Sequence, residues 1–358
     1  MSQFPVSEGI TSRDVHANGI RLHILERGSK DAPNKLLLVH GNISAATWWE
    51  EVMLGLDEAS FHAVAVDLRG YGDSEAAPVD ATRGYGDFVD DLHAIVSDVL
   101  HWSHFHYVGH SMGGSVGYAY AIAYPTFIKS MTLIAPGSPY GFGGTKDAQG
   151  TPNYDDFAGS GGGMGNPELI RMMREGYRGA DHPVAPLNAL RNLIFKPPFI
   201  APREDVLLSA ILATALGDDN YPGNKVPSDN WPGFAPGDRG VLNALSPKYD
   251  HGYKIVDIPA EHKPPILWIR GDSDVIISNQ STSELGTLGQ MGLIPDWPGT
   301  DVFPPQPMID QIQAVLERYQ ASGGYFEEHI FENCGHSPHV ERYDLFMPLF
   351  QEFVTSHQ

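Results

Sequence analysis

The first part of the chain alternates short apolar runs with segments in which apolar residues recur at helical spacing. Apolar runs that suit buried strands cover residues 36–39 and 63–66, and further strand-like runs cover 106–108 and 131–134. Helical spacing separates the second run from the third and the third run from the fourth. Because alternating strands and helices build a parallel sheet with helices on both faces, the sequence predicts an α/β fold with a mostly parallel sheet.

The pattern changes at residue 138. Glycine-rich stretches predict loops, and short helices are indicated by the capping pair Asn166-Pro167 and by a segment that opens at Pro202 and ends at Gly217. Strand and helix patterns return after residue 263. We therefore predict a core formed by residues 1–137 and 264–358, into which residues 138–263 are inserted as a large helical cap.

The C-terminal part predicts two further strands and two helices. Residues 265–269 form a buried-strand candidate, and a second insertion rich in Pro and Asp covers 295–307. A helical pattern runs from 308 to 319, a last strand is predicted over 325–331, and apolar residues from 346 to 353 lie on one face of a final helix. This order returns the chain to the sheet.

Composition limits the classes of partner. The chain has 23 Lys and Arg against 44 Asp and Glu, which gives a formal net charge of -21. This charge repels nucleic acid and anionic membranes, so we expect neither as a partner. The sequence contains no run of 18 apolar residues, and Cys334 is its single cysteine. We expect a soluble cytoplasmic protein, and the sequence does not determine its oligomeric state.

The segment Gly109-His110-Ser111-Met112-Gly113 carries the candidate nucleophile. It lies between a predicted strand and a predicted helix, where small flanking residues suit the strained turn that exposes a catalytic serine. A serine hydroxyl is a poor nucleophile at neutral pH, so acyl transfer also needs a base and donors for the oxyanion. The sequence therefore predicts Ser111 as a nucleophile and requires partners elsewhere in the chain.

Five motifs follow one another in the order typical of a known family. They are Leu38-Val39-His40-Gly41-Asn42, Asp67-Leu68-Arg69-Gly70-Tyr71-Gly72-Asp73-Ser74, Gly109-His110-Ser111-Met112-Gly113-Gly114, Gly271-Asp272-Ser273-Asp274 and Gly335-His336. Over about residues 20–137 and 264–357, the chain resembles the α/β-hydrolase family, in its serine esterase and lipase branch. The cap region resembles no family that we can name.

The resemblance implies that His336 is the general base. In that family the histidine comes last in the triad and follows the final strand, as Gly335-His336 does here. His339 is the nearest competitor. The family also has a carboxylate five residues after the histidine, and Glu341 stands in that relation to His336.

The resemblance implies Asp274 as the acid that orients His336. Asp272 is a rival, but the family's aspartate usually lies three residues after the glycine that ends the strand, and turn chemistry alone favours an Asp at 272. We expect Asp67 and Arg69 to have a structural role, as an ion pair beside a tight turn.

The resemblance also implies an oxyanion hole formed by the backbone N–H groups of Asn42 and Met112. Because these donors belong to the main chain, we expect side-chain identity at both positions to matter little. The sequence shows no regular metal-ligand spacing and no phosphate-binding loop, so we expect no cofactor and no metal.

The serine predicts acyl chemistry, since members of the family that open epoxides or displace halide use an aspartate at this position. We expect hydrolysis of a carboxylic ester through an acyl-serine intermediate. Cleavage of an amide, lactone, thioester or carbon–carbon bond is an alternative that the same triad supports, and a non-catalytic ligand receptor is another.

Aromatic residues of the cap predict an apolar pocket and hence a small-molecule ester with an apolar portion. We expect glycine-rich flanks to let the cap or its entry loop move. The aromatic residues are Phe157, Tyr177, Phe195, Phe199, Tyr221, Trp231 and Phe234.

Overall fold

A computed structural model describes residues 3–357, and a sheet of eight strands lies at its centre. Strands are numbered along the chain, and the spatial order is β1-β2-β4-β3-β5-β6-β11-β12. Their bounds are β1 Thr11–Ala17, β2 Ile20–Gly28, β3 Asn34–Val39, β4 Phe61–Asp67, β5 Phe105–His110, β6 Ile128–Ile134, β11 Ile266–Gly271 and β12 Phe326–Phe331.

The sheet is mostly parallel, as the sequence predicts. Strands β4, β3, β5, β6, β11 and β12 pair in parallel, whereas β2 runs antiparallel to both of its neighbours. The carboxyl ends of the parallel strands therefore meet at one edge, where ligands bind in sheets of this kind. All predicted site residues follow one of these strand ends.

The N-terminal hairpin of β1 and β2 is absent from the sequence prediction. Its strands carry Arg13, His23 and Glu26, which interrupt any apolar run. In the structure these side chains are paired with neighbours: Arg13 Nε lies 2.8 Å from Glu26, and Glu26 accepts from His62 of β4 at 2.8 Å. Partners distant in sequence make these polar strands compatible with burial.

Helices cover both faces of the sheet, and side chains alternate between the two apolar layers. Leu37 packs with residues of α2, α3 and α9, whereas Leu36 and Leu38 pack with residues of α1 and α11. The helices are α1 Glu50–Leu54, α2 Gly86–Ala94, α3 Met112–Ala123, α4 Pro167–Arg174, α5 Pro186–Ala189, α6 Glu204–Leu212, α7 Val241–Ala244, α8 Leu285–Gln290, α9 Met308–Ala321, α10 Pro338–Glu341 and α11 Tyr343–Ser356.

Shorter turns of helix complete the described elements. Two are π-helical, Ile95–Val99 after α2 and Leu190–Ile194 after α5. The 3₁₀ turns are Ala46–Trp49, Ala81–Arg83, Pro125–Phe127, Gly161–Met164, Gly252–Asp257 and Ala260–His262.

The segment 138–263 contains α4 to α7 and four short strands in two pairs, so it is not purely helical. The strands are β7 Leu216–Gly217, β8 Tyr221–Pro222, β9 Lys225–Pro227 and β10 Phe234–Pro236. The predicted helix end at Gly217 is wrong, because α6 ends at Leu212. The backbone leaves the helix where the Ala215 N–H donates to the Gly70 carbonyl of the core at 2.8 Å.

Within residues 3–357, no helix is both long enough and apolar enough to cross a membrane.

Candidate active site

Ser111 stands on a strained turn between β5 and α3. Its backbone has φ 54° and ψ -120°, a left-handed conformation that a non-glycine residue rarely adopts. A Cβ at Gly109 would lie 2.3 Å from the Gly113 carbonyl, and one at Gly113 would lie 2.3 Å from the Val39 carbonyl. The turn therefore requires glycine on both sides, which explains the spacing of the motif.

His336 and Asp274 meet at the same edge of the sheet. His336 Nδ1 lies 2.7 Å from Asp274 Oδ2, and both side chains are buried. The second carboxylate oxygen of Asp274 accepts the N–H groups of Ile276 at 2.8 Å and Ile277 at 3.0 Å. These donors fix the carboxylate, which in turn fixes the orientation of the imidazole.

Asp272 and His339, the alternatives to Asp274 and His336, lie in different surroundings. Asp272 is exposed, and its Oδ1 accepts from Cys334 N at 3.3 Å and from Ser273 Oγ at 2.8 Å, which is a turn-stabilising arrangement. His339 is buried with its ring 4.6 Å from Trp49, and neither ring nitrogen has a partner among the described residues. Burial lowers the pKa of His339 to about 3, so it stays neutral at physiological pH.

The nucleophile and the base lie near each other but are not joined in this structure. The His336 ring lies 5.0 Å from that of His110, the residue before Ser111. In residues 3–357 no hydrogen bond links the Ser111 hydroxyl to His336. Such bonds are often long in a resting site and tighten on substrate binding.

The two predicted oxyanion donors lie on either side of Ser111. Met112 N begins α3, and Asn42 follows Gly41, where an added Cβ would lie 3.0 Å from Ser111 Cβ. Neither N–H donates to another residue in the described part of the chain. Both are therefore available to a ligand, and the N-terminus of α3 adds a favourable dipole for negative charge.

Known proteins resemble the chain in two ways. A family profile described as alpha/beta hydrolase fold matches residues 34–159. The solved carboxylesterase CesB of Bacillus subtilis superimposes with a TM-score of 0.55 at 16% identity, covering 98% of this chain and 93% of that one. The profile matches the part of the chain that contains the serine turn, and the superposition extends the likeness to the whole sheet.

The chain has the α/β-hydrolase fold. Curated relatives match over part of the chain. One is Probable lysophospholipase BODYGUARD 1 of Arabidopsis thaliana, 32% identical over 34% of this chain and 26% of its own length. Another is an epoxide hydrolase of Caballeronia sordidicola, 32% identical over 35% of this chain and 37% of its own length. The chain thus spans well under half of either relative.

Tyr71 is a residue of the site that sequence reasoning missed. Its hydroxyl donates to Asn42 Oδ1 at 2.7 Å, and the same oxygen accepts the N–H of Ile43 at 2.9 Å. The Asn42 side chain therefore shapes the loop that carries a predicted oxyanion donor, contrary to the expectation that its identity matters little. Tyr71 is part of the Asp67-to-Ser74 motif, but the sequence does not show that its hydroxyl contacts Asn42, which is 29 positions away.

His110 is a second such residue. Its Nε2 lies 2.9 Å from the carbonyl oxygen of His336. A carbonyl only accepts, so this nitrogen carries the proton and donates. Burial, with smaller contributions from the neighbouring His339 and His336 rings, lowers the pKa of His110 well below its ordinary value. His110 therefore acts as a neutral donor that holds the backbone of the predicted base.

The expected ion pair between Asp67 and Arg69 is not what the structure shows. Arg69 binds Asp91 with two hydrogen bonds of 2.7 Å, and Asp67 pairs with His23 at 2.8 Å. His23, Asp67 and Asp73 are also the described side chains whose ligand atoms are close enough together to hold a metal ion. Asp67 already accepts three hydrogen bonds, from His23, Ala46 N and Asp73 N, which gives it a structural role.

Proposed function

We propose that this α/β hydrolase is a serine hydrolase that cleaves carboxylic esters through an acyl-serine intermediate. The observation that carries the proposal is the 2.7 Å bond between His336 and Asp274, at the edge where Ser111 stands on its strained turn. This bond and this turn support a nucleophile, a base and an orienting acid contributed by three loops far apart in sequence.

The steps follow from these positions. Ser111 Oγ attacks the ester carbonyl carbon while His336 Nε2 takes its proton, and Asp274 stabilises the imidazolium. The N–H groups of Asn42 and Met112 donate to the oxyanion of the tetrahedral intermediate. The intermediate collapses, and the leaving alcohol receives the proton from His336. A water molecule, deprotonated by His336, then releases the acid from the serine.

The serine favours esters over epoxides, although an epoxide hydrolase is among the relatives. An alkoxide that opens an epoxide forms an ether, which water does not hydrolyse under mild conditions, so a serine enzyme would be trapped after one turnover. Attack on a carbonyl instead forms an acyl ester, which the same base can hydrolyse. Turnover at Ser111 therefore requires an acyl group.

The substrate class follows from the apolar cluster beside the oxyanion loop. Ile43 and Trp48 of that loop pack with Phe195 and Tyr221 of the cap, and Ile276 beside Asp274 packs against the same cluster. Apolar side chains beside the oxyanion loop would favour an ester with an apolar acyl or alcohol portion over a polar one. The names lysophospholipase and carboxylesterase among the similar proteins support the same class.

The test uses a fluorophosphonate probe and a series of p-nitrophenyl esters. Ser111→Ala should lose labelling and lower kcat by at least about 10⁴-fold while remaining folded. Ser115→Ala, one turn further along α3, is the matched control and should keep both. If Ser111→Ala still turns over esters in a clean preparation, the proposal is wrong. If esters are inert but amides or lactones are cleaved at Ser111, the acyl mechanism stands with a different substrate class.

A further inference from the structure

The loop that carries His336 is bound to the cap through its backbone. The His336 N–H donates to the Ile194 carbonyl at 2.9 Å, and Ile194 ends the π-helical turn that follows α5. Two residues on, Lys196 Nζ lies 3.0 Å from Asn333 Oδ1. The cap segment 194–196, which we call the strap, therefore lies directly against the loop of the proposed base.

Glu341 joins the strap to this loop. Its Oε2 accepts the N–H of Lys196 at 2.8 Å and that of Gly335 at 2.9 Å, and its Oε1 accepts the N–H of Ser337 at 3.1 Å. Gly335 and Ser337 are the two neighbours of His336. One carboxylate thus holds both sides of the histidine and the cap at the same time.

The contact is too tight for a side chain at position 335. A Cβ on Gly335 would lie 2.7 Å from Lys196 N and 3.0 Å from Glu341 Oε1. Because the first of these atoms is backbone, the strap would have to move away from the loop. The strap, Gly335 and Glu341 are therefore packed as one unit.

From this geometry we propose that Glu341 is a positioning residue for His336, and that it makes the placement of the base depend on the cap strap. The inference rests on the proposed serine-hydrolase function. The strap leads into the apolar cluster, since Phe195 packs on Trp48 at 5.8 Å and on Phe199 at 5.2 Å. A substrate that orders this cluster also sets the base against Ser111, so binding in the cap is coupled to proton transfer.

Substitution of the carboxylate tests the coupling. Glu341→Gln replaces one acceptor oxygen by an amide that faces backbone N–H donors. We expect kcat and the rate of fluorophosphonate labelling to fall roughly 10- to 100-fold, the cost of misplacing a catalytic group by about 1 Å, while KM for a p-nitrophenyl ester changes by less than about threefold.

Glu284→Gln is the matched control. Glu284 is a buried glutamate that accepts the N–H groups of Gly286 and Thr287, and within the described residues it forms no hydrogen bond with the strap or with residues 333–341. It should lower the melting temperature without lowering kcat. If Glu341→Gln lowers kcat no more than Glu284→Gln does, the positioning role is overturned.

The cap side is tested by removing the strap's donor. Lys196→Pro deletes the N–H that Glu341 accepts, whereas Lys196→Ala keeps it and loses only the contact with Asn333. We expect Lys196→Pro to reproduce the kcat loss and Lys196→Ala not to. The double variant with Glu341→Gln should be no slower than the slower single variant, because both break one link. Additive losses would overturn the coupling.

Gly335→Ala gives an independent arm if the proline variant does not fold. It should lower kcat at constant KM, because its Cβ separates the strap from the loop, and unchanged kcat would overturn the inference. Retained turnover in Ser111→Ala would instead refute the proposed function. Loss of turnover there with normal kcat in Glu341→Gln would refute only the positioning role.

Discussion

At the scale of single residues, three neighbouring histidines differ in what their ring nitrogens contact. His336 bonds to a carboxylate, His110 donates to a carbonyl, and His339 has no partner in the described part of the chain. Only the first arrangement supplies a negative charge that stabilises the imidazolium formed when a base takes a proton. The hydrogen-bond partner of each ring therefore distinguishes the proposed base from the other two histidines.

The two aspartates of the β11 loop should differ sharply in their effect on rate. We expect Asp274→Asn to lower kcat about 10⁴-fold, because an amide facing Nδ1 favours the wrong tautomer of His336. Asp272→Asn should stay within about threefold of the parent, because an amide oxygen can still accept from Ser273 Oγ and Cys334 N and the side chain does not contact His336. Steady-state kinetics on one ester compares them, and the opposite ranking would move the acid to Asp272.

Tyr71→Phe should lower kcat/KM about tenfold. The variant removes the hydroxyl that donates to Asn42 Oδ1, which is one of the two hydrogen bonds that this oxygen accepts, and the loss costs roughly 1–2 kcal/mol. Tyr319→Phe is the control, because it deletes a buried hydroxyl that donates to the Pro264 carbonyl at 2.7 Å, outside the site. Equal kinetic losses in both variants would show that Tyr71 contributes only to general stability.

At the scale of elements, paired polar side chains hold the N-terminal hairpin to the sheet. Glu26 of β2 bonds to His62 of β4 and to Arg13 of β1, so one carboxylate connects three adjacent strands. The hydrogen bond from His62, with further contributions from Arg13, outweighs burial and lowers the pKa of Glu26 to about 2. The charged form of Glu26 is therefore part of the folded structure.

This pKa predicts how stability depends on pH. Because the folded pKa of Glu26 is below its ordinary value of 4.5, its contribution is present above about pH 4.5 and is lost as the pH falls toward about 2. Glu26→Gln should thus be less stable than the parent near pH 6, by up to about 3 kcal/mol, and this gap should shrink toward pH 2. Urea unfolding at several pH values measures it.

The control for the pH experiment is Glu58→Gln. Glu58 pairs with Arg27 at 2.5 Å, but its side chain is 62% exposed, so its removal should change the free energy of unfolding by less than about 1 kcal/mol. A gap for Glu26→Gln that stays constant between pH 6 and pH 2 would show that the charge of Glu26 is not what stabilises the hairpin.

At the scale of the whole molecule, the cap and the core share an apolar cluster beside the site. Of the seven cap aromatic residues, some of which are expected to line a pocket, Phe195, Phe199 and Tyr221 belong to this cluster. Trp231 instead packs on Phe303 at 4.8 Å, and Phe234 lies beside Lys225. Five of the seven cap aromatics therefore divide into a group of three beside the oxyanion loop and a group of two that packs elsewhere.

This division predicts which cap residue controls substrate preference. In the parent, kcat/KM for p-nitrophenyl octanoate should exceed that for the acetate by at least about tenfold. Phe195→Leu should reduce this ratio about fivefold, and Trp231→Leu should leave it unchanged, because only the first side chain lies in the cluster. A parent enzyme that prefers the acetate, or equal ratios in both variants, would mean that the cluster does not select the substrate.

The sequence by itself determined the features that depend on neighbours along the chain. Short and mostly apolar runs predicted β3, β4, β5, β6 and β11, because strands buried on both faces are rich in apolar residues. The serine turn could also be predicted from its two glycines. A side chain at Gly109 would clash with the Gly113 carbonyl, and one at Gly113 would clash with the Val39 carbonyl at the end of β3. The α/β fold follows from these local signals and their order.

Tertiary structure decided whatever depends on partners distant in sequence. Arg69 pairs with Asp91, α6 ends where Ala215 bonds to Gly70, and Glu341 links His336 to a segment about 140 positions away. The apolar pattern did not predict β2, because polar side chains such as Glu26 are buried there only through pairing with residues of other strands. These contacts join segments whose distance in space depends on strand register and on the packing of the cap. A local sequence pattern predicts neither of these.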